Sequence, residues 1–142
     1  MSLEFDWNHF DSIIGKPSSS KILRMLVIND KLSVKELKEL TEISESQLHV
    51  LLRNLVEVNI LMKITRGLYG FSNHPFAKLI KEAYLAIIRE YLNNSIYNIQ
   101  ELIKKGEKEE AFEILKEIIS IYKPLLERDF SRIMATLSHE FI

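Results

Sequence analysis

The chain has no cysteine, and only four glycines and three prolines in 142 residues. The first absence excludes disulfides, thiolate metal sites and cysteine nucleophiles, and it fits a reducing cytoplasm. Few glycines and prolines, with Ile, Leu, Lys and Glu dominant, predict a mostly helical protein. Apolar runs are only a few residues long, so no membrane-spanning helix is expected. No basic segment leads into an apolar one at the N-terminus, so no signal peptide is expected. Neither a glycine-rich phosphate loop nor a nucleophile elbow is present. The histidines are His9, His49, His74 and His139; no two fall at i, i+3 or i, i+4, and no acidic pair joins them. Neither a metal nor a cofactor is therefore expected, and the expected role is binding, not catalysis.

What is present is 46% apolar and 27% charged residues, enough for one soluble domain, or for a small domain plus an extension. The net charge of −1 argues against polyanion binding by the molecule as a whole. Its distribution is uneven. Residues 1–15 carry Glu4, Asp6 and Asp11 without a cation. Residues 16–74 hold nine Lys/Arg against six Asp/Glu, and residues 75–142 hold ten against eleven. The basic excess lies in the middle segment.

Leu3, Phe5, Trp7, Phe10, Ile13 and Ile14 predict an apolar face on a first helix or arm (1–15), serving as a lid over the core or as a dimer arm. After Gly15-Lys16-Pro17, Ser18 to Ser20 offer N-cap hydroxyls for a helix from about Ser19 to Ile28. Ser33 with Glu36 reads as a capping box for a second helix ending near Leu40 and burying Val34, Leu37 and Leu40. A tight turn at Glu42-Ile43 leads to Ser44, the cap of a third helix (about 44–58). Alternation at Ile60, Met62 and Ile64, a tip at Arg66-Gly67 and a return through Leu68 to Phe71 predict a two-stranded β-hairpin within about 60–72.

From Phe76 to about Lys105 an apolar stripe predicts a helix of roughly 45 Å, with a break possible at Asn93-Asn94-Ser95. Gly106 ends it, and a second long helix follows from Glu107 to about Glu140, with Pro124 expected to kink or split it. Two such helices make an antiparallel hairpin (76–142) with more apolar surface than it can bury alone. Homodimerisation, or folding back on the preceding domain, would cover the remainder.

A helix–turn–helix elbow followed by a β-wing is a winged helix, and several segments carry a closer likeness. Ile13-Ile14-Gly15-Lys16-Pro17 leading to Ile22-Leu23-Arg24-Met25-Leu26 resembles the first-helix segment of winged-helix transcription regulators of the arsenic-repressor and multiple-antibiotic-resistance type. Thr41-x-Ile43-Ser44-x-Ser46-Gln47-Leu48 is similar to their elbow. Leu52-x-x-Leu55-x-x-x-x-Ile60-Leu61 resembles the run into their wing, and Tyr69 to Pro75 looks like their wing exit. The likeness covers roughly residues 13–80 and leaves out the C-terminal hairpin. It implies a mostly α fold, a winged helix (16–75) with a two-stranded wing, and double-stranded DNA as partner. Three departures stand out, the first being Asn59 where the family's usual glycine precedes the wing. Outward positions of the recognition helix that often hold Ser-Arg-His in the family hold His49, Val50 and Leu51. The segment that carries Cys-Val-Cys in its metal sensors is Ser33-Val34-Lys35, so no thiolate sensing carries over.

Wound at 100° per residue, the third helix buries Leu48, Leu52 and Leu55 and turns Ser46, His49, Val50, Arg53 and Glu57 outward. On the DNA reading, Ser46, Gln47 and His49 approach base edges, Val50 meets a thymine methyl, and Arg53 and Asn54 contact base or phosphate. Ser44 offers its hydroxyl and the helix N-terminus to a phosphate. Lys63 and Arg66 serve the wing, with Lys16, Lys21 and Lys35 as further phosphate contacts. Glu45, Glu57, Val50 and Leu51 equally fit an adaptor that binds another protein without reading DNA. An effector is left open.

Overall fold

The computed structural model describes Asn8, Ser12 and residues 15–140, with side chains through Ser131. The expected apolar face formed by Leu3, Phe5, Trp7, Phe10, Ile13 and Ile14 lies outside the described residues. Five helices and three strands follow in the order α1 (Pro17–Asn29), β1 (Lys31–Ser33), α2 (Val34–Thr41), α3 (Glu45–Glu57), β2 (Leu61–Thr65), β3 (Leu68–Phe71), α4 (Pro75–Lys104) and α5 (Lys108–Glu140). This is a winged helix–turn–helix followed by a long helical pair. By internal packing the chain forms two units, which divide within α4 after Tyr84.

In the first unit, α1 starts at Pro17, whose fixed φ suits the first helical turn. The cap is Lys16, without a side-chain bond, so the three serines lie inside the helix and do not cap it. Ser19 is buried, and Ile22, Leu23, Leu26, Val27 and Ile28 form the buried stripe. The capping box of α2 is made as read: Ser33 Oγ accepts from the Glu36 N–H at 3.1 Å, and Glu36 Oε1 accepts from the Ser33 N–H at 3.0 Å. The buried residues of α2 are Leu37 and Thr41; Leu40 is 50% exposed, contrary to expectation, because a helix of eight residues points only a narrow stripe inward.

The core gathers Ile22, Leu23, Leu26, Leu32, Leu37, Ile43, Leu48, Leu51, Leu52, Leu55, Ile60 and Leu61. Burying each such Leu or Ile contributes about 1.5–3 kcal/mol. Phe76, Ile80 and Tyr84 of α4 pack against this cluster.

The wing hairpin β2–β3 is present, and β1 joins it to make a sheet of order β1-β3-β2. Lys31, Leu32 and Ser33 pair antiparallel with Gly70, Tyr69 and Leu68. The sequence predicts no strand there, because three residues give too little alternation to register. The register between β2 and β3 shifts between Lys63 and Thr65.

In the second unit, Leu85, Ile88, Leu92, Ser95 and Ile99 of α4 are buried at steps of three and four, and Ala111, Ile118 and Leu125 of α5 at steps of seven. These steps make a coiled-coil-like seam. Between the helices Glu107 N–H reaches Leu102 O at 2.9 Å and Gly106 N–H reaches Ile103 O at 3.1 Å, with Gly106 at φ +82. That pairing closes the end of α4 and requires the left-handed backbone glycine permits. Arg89 grips Asp129 through two N–H···O contacts of 3.0 and 3.4 Å, and the Tyr91 and Tyr122 rings lie 6.0 Å apart. α4 runs unbroken through Asn93-Asn94-Ser95, with Ser95 buried, and α5 is not split at Pro124. Proline removes a single helical hydrogen bond there, and the seam on both sides of it keeps α5 in place. No helix among the described residues is long and apolar enough to cross a membrane.

Candidate nucleic-acid interface

The elbow between α2 and α3 is built around Thr41. Its buried hydroxyl donates to Leu37 O at 2.6 Å and accepts from the Ile43 N–H at 3.3 Å. Glu42 then takes the left-handed conformation, φ 60 and ψ 18, and its N–H bonds Lys38 O at 3.0 Å. Ile43 is buried, which anchors the turn and fixes the start of α3.

Ser44 caps α3: its Oγ accepts from the Gln47 N–H at 3.3 Å and lies 3.4 Å from Ser46 Oγ. A hydroxyl that accepts from the helix can still donate, and in the Ser44–Ser46 contact either hydroxyl can be the donor. Leu48, Leu51, Leu52 and Leu55 face the core. Leu51, which occupies one of the family's outward positions, is 2% exposed, so only His49 and Val50 of that trio face outward. Ser46, His49, Val50, Arg53 and Glu57 line the exposed face, with Gln47 exposed and Asn54 half-buried along its flank.

The face is close to neutral. His49 Nε2 sits 3.6 Å from Glu45 Oε1 one turn earlier, and Glu57 follows Arg53 by one turn. At its centre Val50 is 45% exposed.

On the wing, Lys63, Thr65 and Arg66 are exposed, and Gly67 turns the chain at φ +75 with open space around it. Gly67 O accepts from the Val34 N–H at 3.0 Å, which ties the wing turn to the start of α2. At Gly70 a Cβ would stand 3.0 Å from Ile64 Cδ1 and 3.3 Å from Asp30 O, so the strand passes where a side chain would not fit unaltered. Ser72 Oγ donates to Asn59 O at 2.5 Å and accepts from the His74 N–H at 3.2 Å, closing the wing's base, and Asn59 takes φ 64 in place of the family's glycine.

The fold therefore brings Ser44, Ser46, Gln47, His49, Val50, Arg53 and Asn54 together on α3 and places Lys63 and Arg66 on the hairpin. Lys16, Lys21 and Lys35 are all exposed. A further exposed cation, Lys31, joins the wing sheet opposite Gly70, which the sequence reading missed because it depends on the unforeseen strand. Among the described residues no group of three His, Asp or Glu is placed to hold a metal ion. Comparison with family models, curated proteins and solved structures gave no match.

Proposed function

We propose that this chain is a cytoplasmic DNA-binding transcription regulator that works as a homodimer held through 76–142. The observation that carries the reading is the pairing of a rigidly capped helix, with its hydrogen-bonding side chains outward, and a cationic hairpin tied to the same core. In this role α3 enters the major groove. Gln47 and His49 face base edges, Arg53 and Asn54 reach base or phosphate, and Ser44 with Ser46 receives a phosphate at the helix N-terminus. Val50 packs on a thymine methyl. Lys63, Arg66 and Lys31 supply backbone contacts from the wing. Two copies would match a site with two-fold symmetry.

Charge reversal tests this. Arg53→Glu and Arg66→Glu are each expected to weaken duplex binding about tenfold or more while the circular dichroism spectrum stays unchanged. Unaltered affinity in both would overturn the assignment.

A second reading rests on the near-neutral face with Val50 at its centre: a winged helix that binds a protein partner and reads no DNA. Val50→Asp would then abolish partner capture, and the native chain would lack duplex affinity at low salt.

A further inference from the structure

The second unit leaves apolar surface that neither of its helices covers. Ten of the fourteen large apolar side chains exposed among the described residues lie in this unit, five on α4 and five on α5. On α5 four of the five are ordered: Phe112, Leu115, Ile119 and Phe130 are exposed along one side, with the half-buried Leu126 on the same line, while Ile121 lies on the other side of the helix. Phe112 and Phe130 are separated by five full turns, roughly 27 Å along the axis. Pro124 lies on the opposite side of the helix from this stripe.

Apart from Ile119, which reverses onto Lys123, the stripe is close to palindromic about residue 121. Reversing α5 on that point places Phe130 over Phe112 and Leu126 beside Leu115. Self-complementarity of this kind is what a two-fold interface requires, because one patch must meet itself. The charges bordering the stripe follow the same symmetry. The reversal sets Lys116 beside Glu127, and two-fold symmetry makes that ion pair twice. In the single chain both groups are exposed: Lys116 lies 3.5 Å from Glu113, and Glu127 lies 3.9 Å from Lys123. Lys123, the one cation next to the axis, is thereby partly neutralised from its own helix.

At the Phe112 end, Ile99, Ile103, Lys108, Ala111, Phe112 and Leu115 line an open apolar cavity of about 270 Å³. A cavity of about 150 Å³ already accommodates benzene, so a phenyl ring fits here. The reversal delivers Phe130 to this end.

We infer that the exposed face of α5 is the homodimer surface. Two copies pair antiparallel about an axis near residue 121, with the partner's Phe130 seated in the cavity beside Phe112. This deepens the dimer reading above and rests on it. The occupant is a second copy because palindromic order, opposite charges and an aromatic group facing a cavity coincide only when the stripe meets itself.

The chain's lack of cysteine makes the test direct. Two full-length single variants, Lys116→Cys and Glu127→Cys, and the double variant are oxidised without DNA. The two positions lie roughly 16 Å apart on one helix, too far for a disulfide within a chain. Only the double variant is expected to give a covalent dimer. A single variant that cross-links as well indicates a parallel pair and overturns the proposal, as does a double variant that stays monomeric. In sedimentation equilibrium Phe130→Ser, exposed in the single chain, is expected to raise the dimer dissociation constant about a hundredfold or more. A dimer indifferent to Phe130→Ser and to Phe112→Ser uses another surface and overturns it too. A dimer of this geometry without duplex affinity would overturn the DNA reading alone.

Discussion

Tyr84 donates its hydroxyl to Ser20 Oγ at 3.2 Å, joining positions 64 residues apart. The bond fastens the first turns of α4 to the start of α1, where Ser20 also holds Lys16 O through its own N–H at 3.2 Å. Tyr84→Phe keeps the packing and removes only this bond. It is expected to lower the stability of the first unit by about 0.5–1.5 kcal/mol, read by urea denaturation followed at the wing tyrosine.

The elbow gives a larger effect. Thr41→Val preserves volume but strips the acceptor from the buried Ile43 N–H. An unsatisfied buried donor costs about 1–3 kcal/mol, so Thr41→Val is expected to be clearly destabilising and Thr41→Ser much less so. Equal stability of the two variants would mean that the hydroxyl is not what holds the turn.

Gly70 and Ile64 form a coupled pair. Gly70→Ala pushes a methyl against Ile64 Cδ1, and overpacking of this type costs about 1–3 kcal/mol. Ile64→Val removes that terminal carbon. The double variant is therefore expected to recover part of the loss, a favourable coupling energy in a double-mutant cycle. Additive effects would show that the backbone contact with Asp30 O dominates instead.

Val50 separates fold from function. As an exposed residue on α3 its replacement by Lys is expected to change stability by no more than about 0.5 kcal/mol. The same change is expected to raise affinity for arbitrary duplexes and to flatten discrimination among sequences, measured by competition titration. An adaptor would instead lose its protein partner and gain only weak, salt-sensitive duplex binding.

Much of the fold was legible because strong local signals agreed with the tertiary outcome. Ser33 with Glu36 declared a capping box, the leucine spacing of α3 declared its inner face, and Arg66-Gly67 declared the wing turn. The misreadings arose where tertiary packing overrode local pattern. Leu40 reads as core by spacing, yet Thr41 takes the inward position because its hydroxyl is needed at the elbow. Leu51 shares the buried arc with Leu48 and Leu55, which counting along a family motif obscured. Pro124 reads as a kink or a split, yet α5 runs through it as one element. The strand at Lys31–Ser33 exists through its partner β3 and carries almost no signal of its own. Of the candidate interface, the residue types and the helix that bears them were readable. The Glu45–His49 approach and the added cation at Lys31 were not, since both depend on side-chain placement or on the missing strand.

The most direct test of the central claim is a fluorescence-anisotropy titration of duplex DNA across a salt series, for the native chain and for Arg66→Ala. The account predicts binding that weakens steeply with salt, with a log–log slope of about −0.9 per phosphate contacted, and a slope smaller by about one in the variant. Absent binding at low salt, or a slope the variant leaves unchanged, would contradict it.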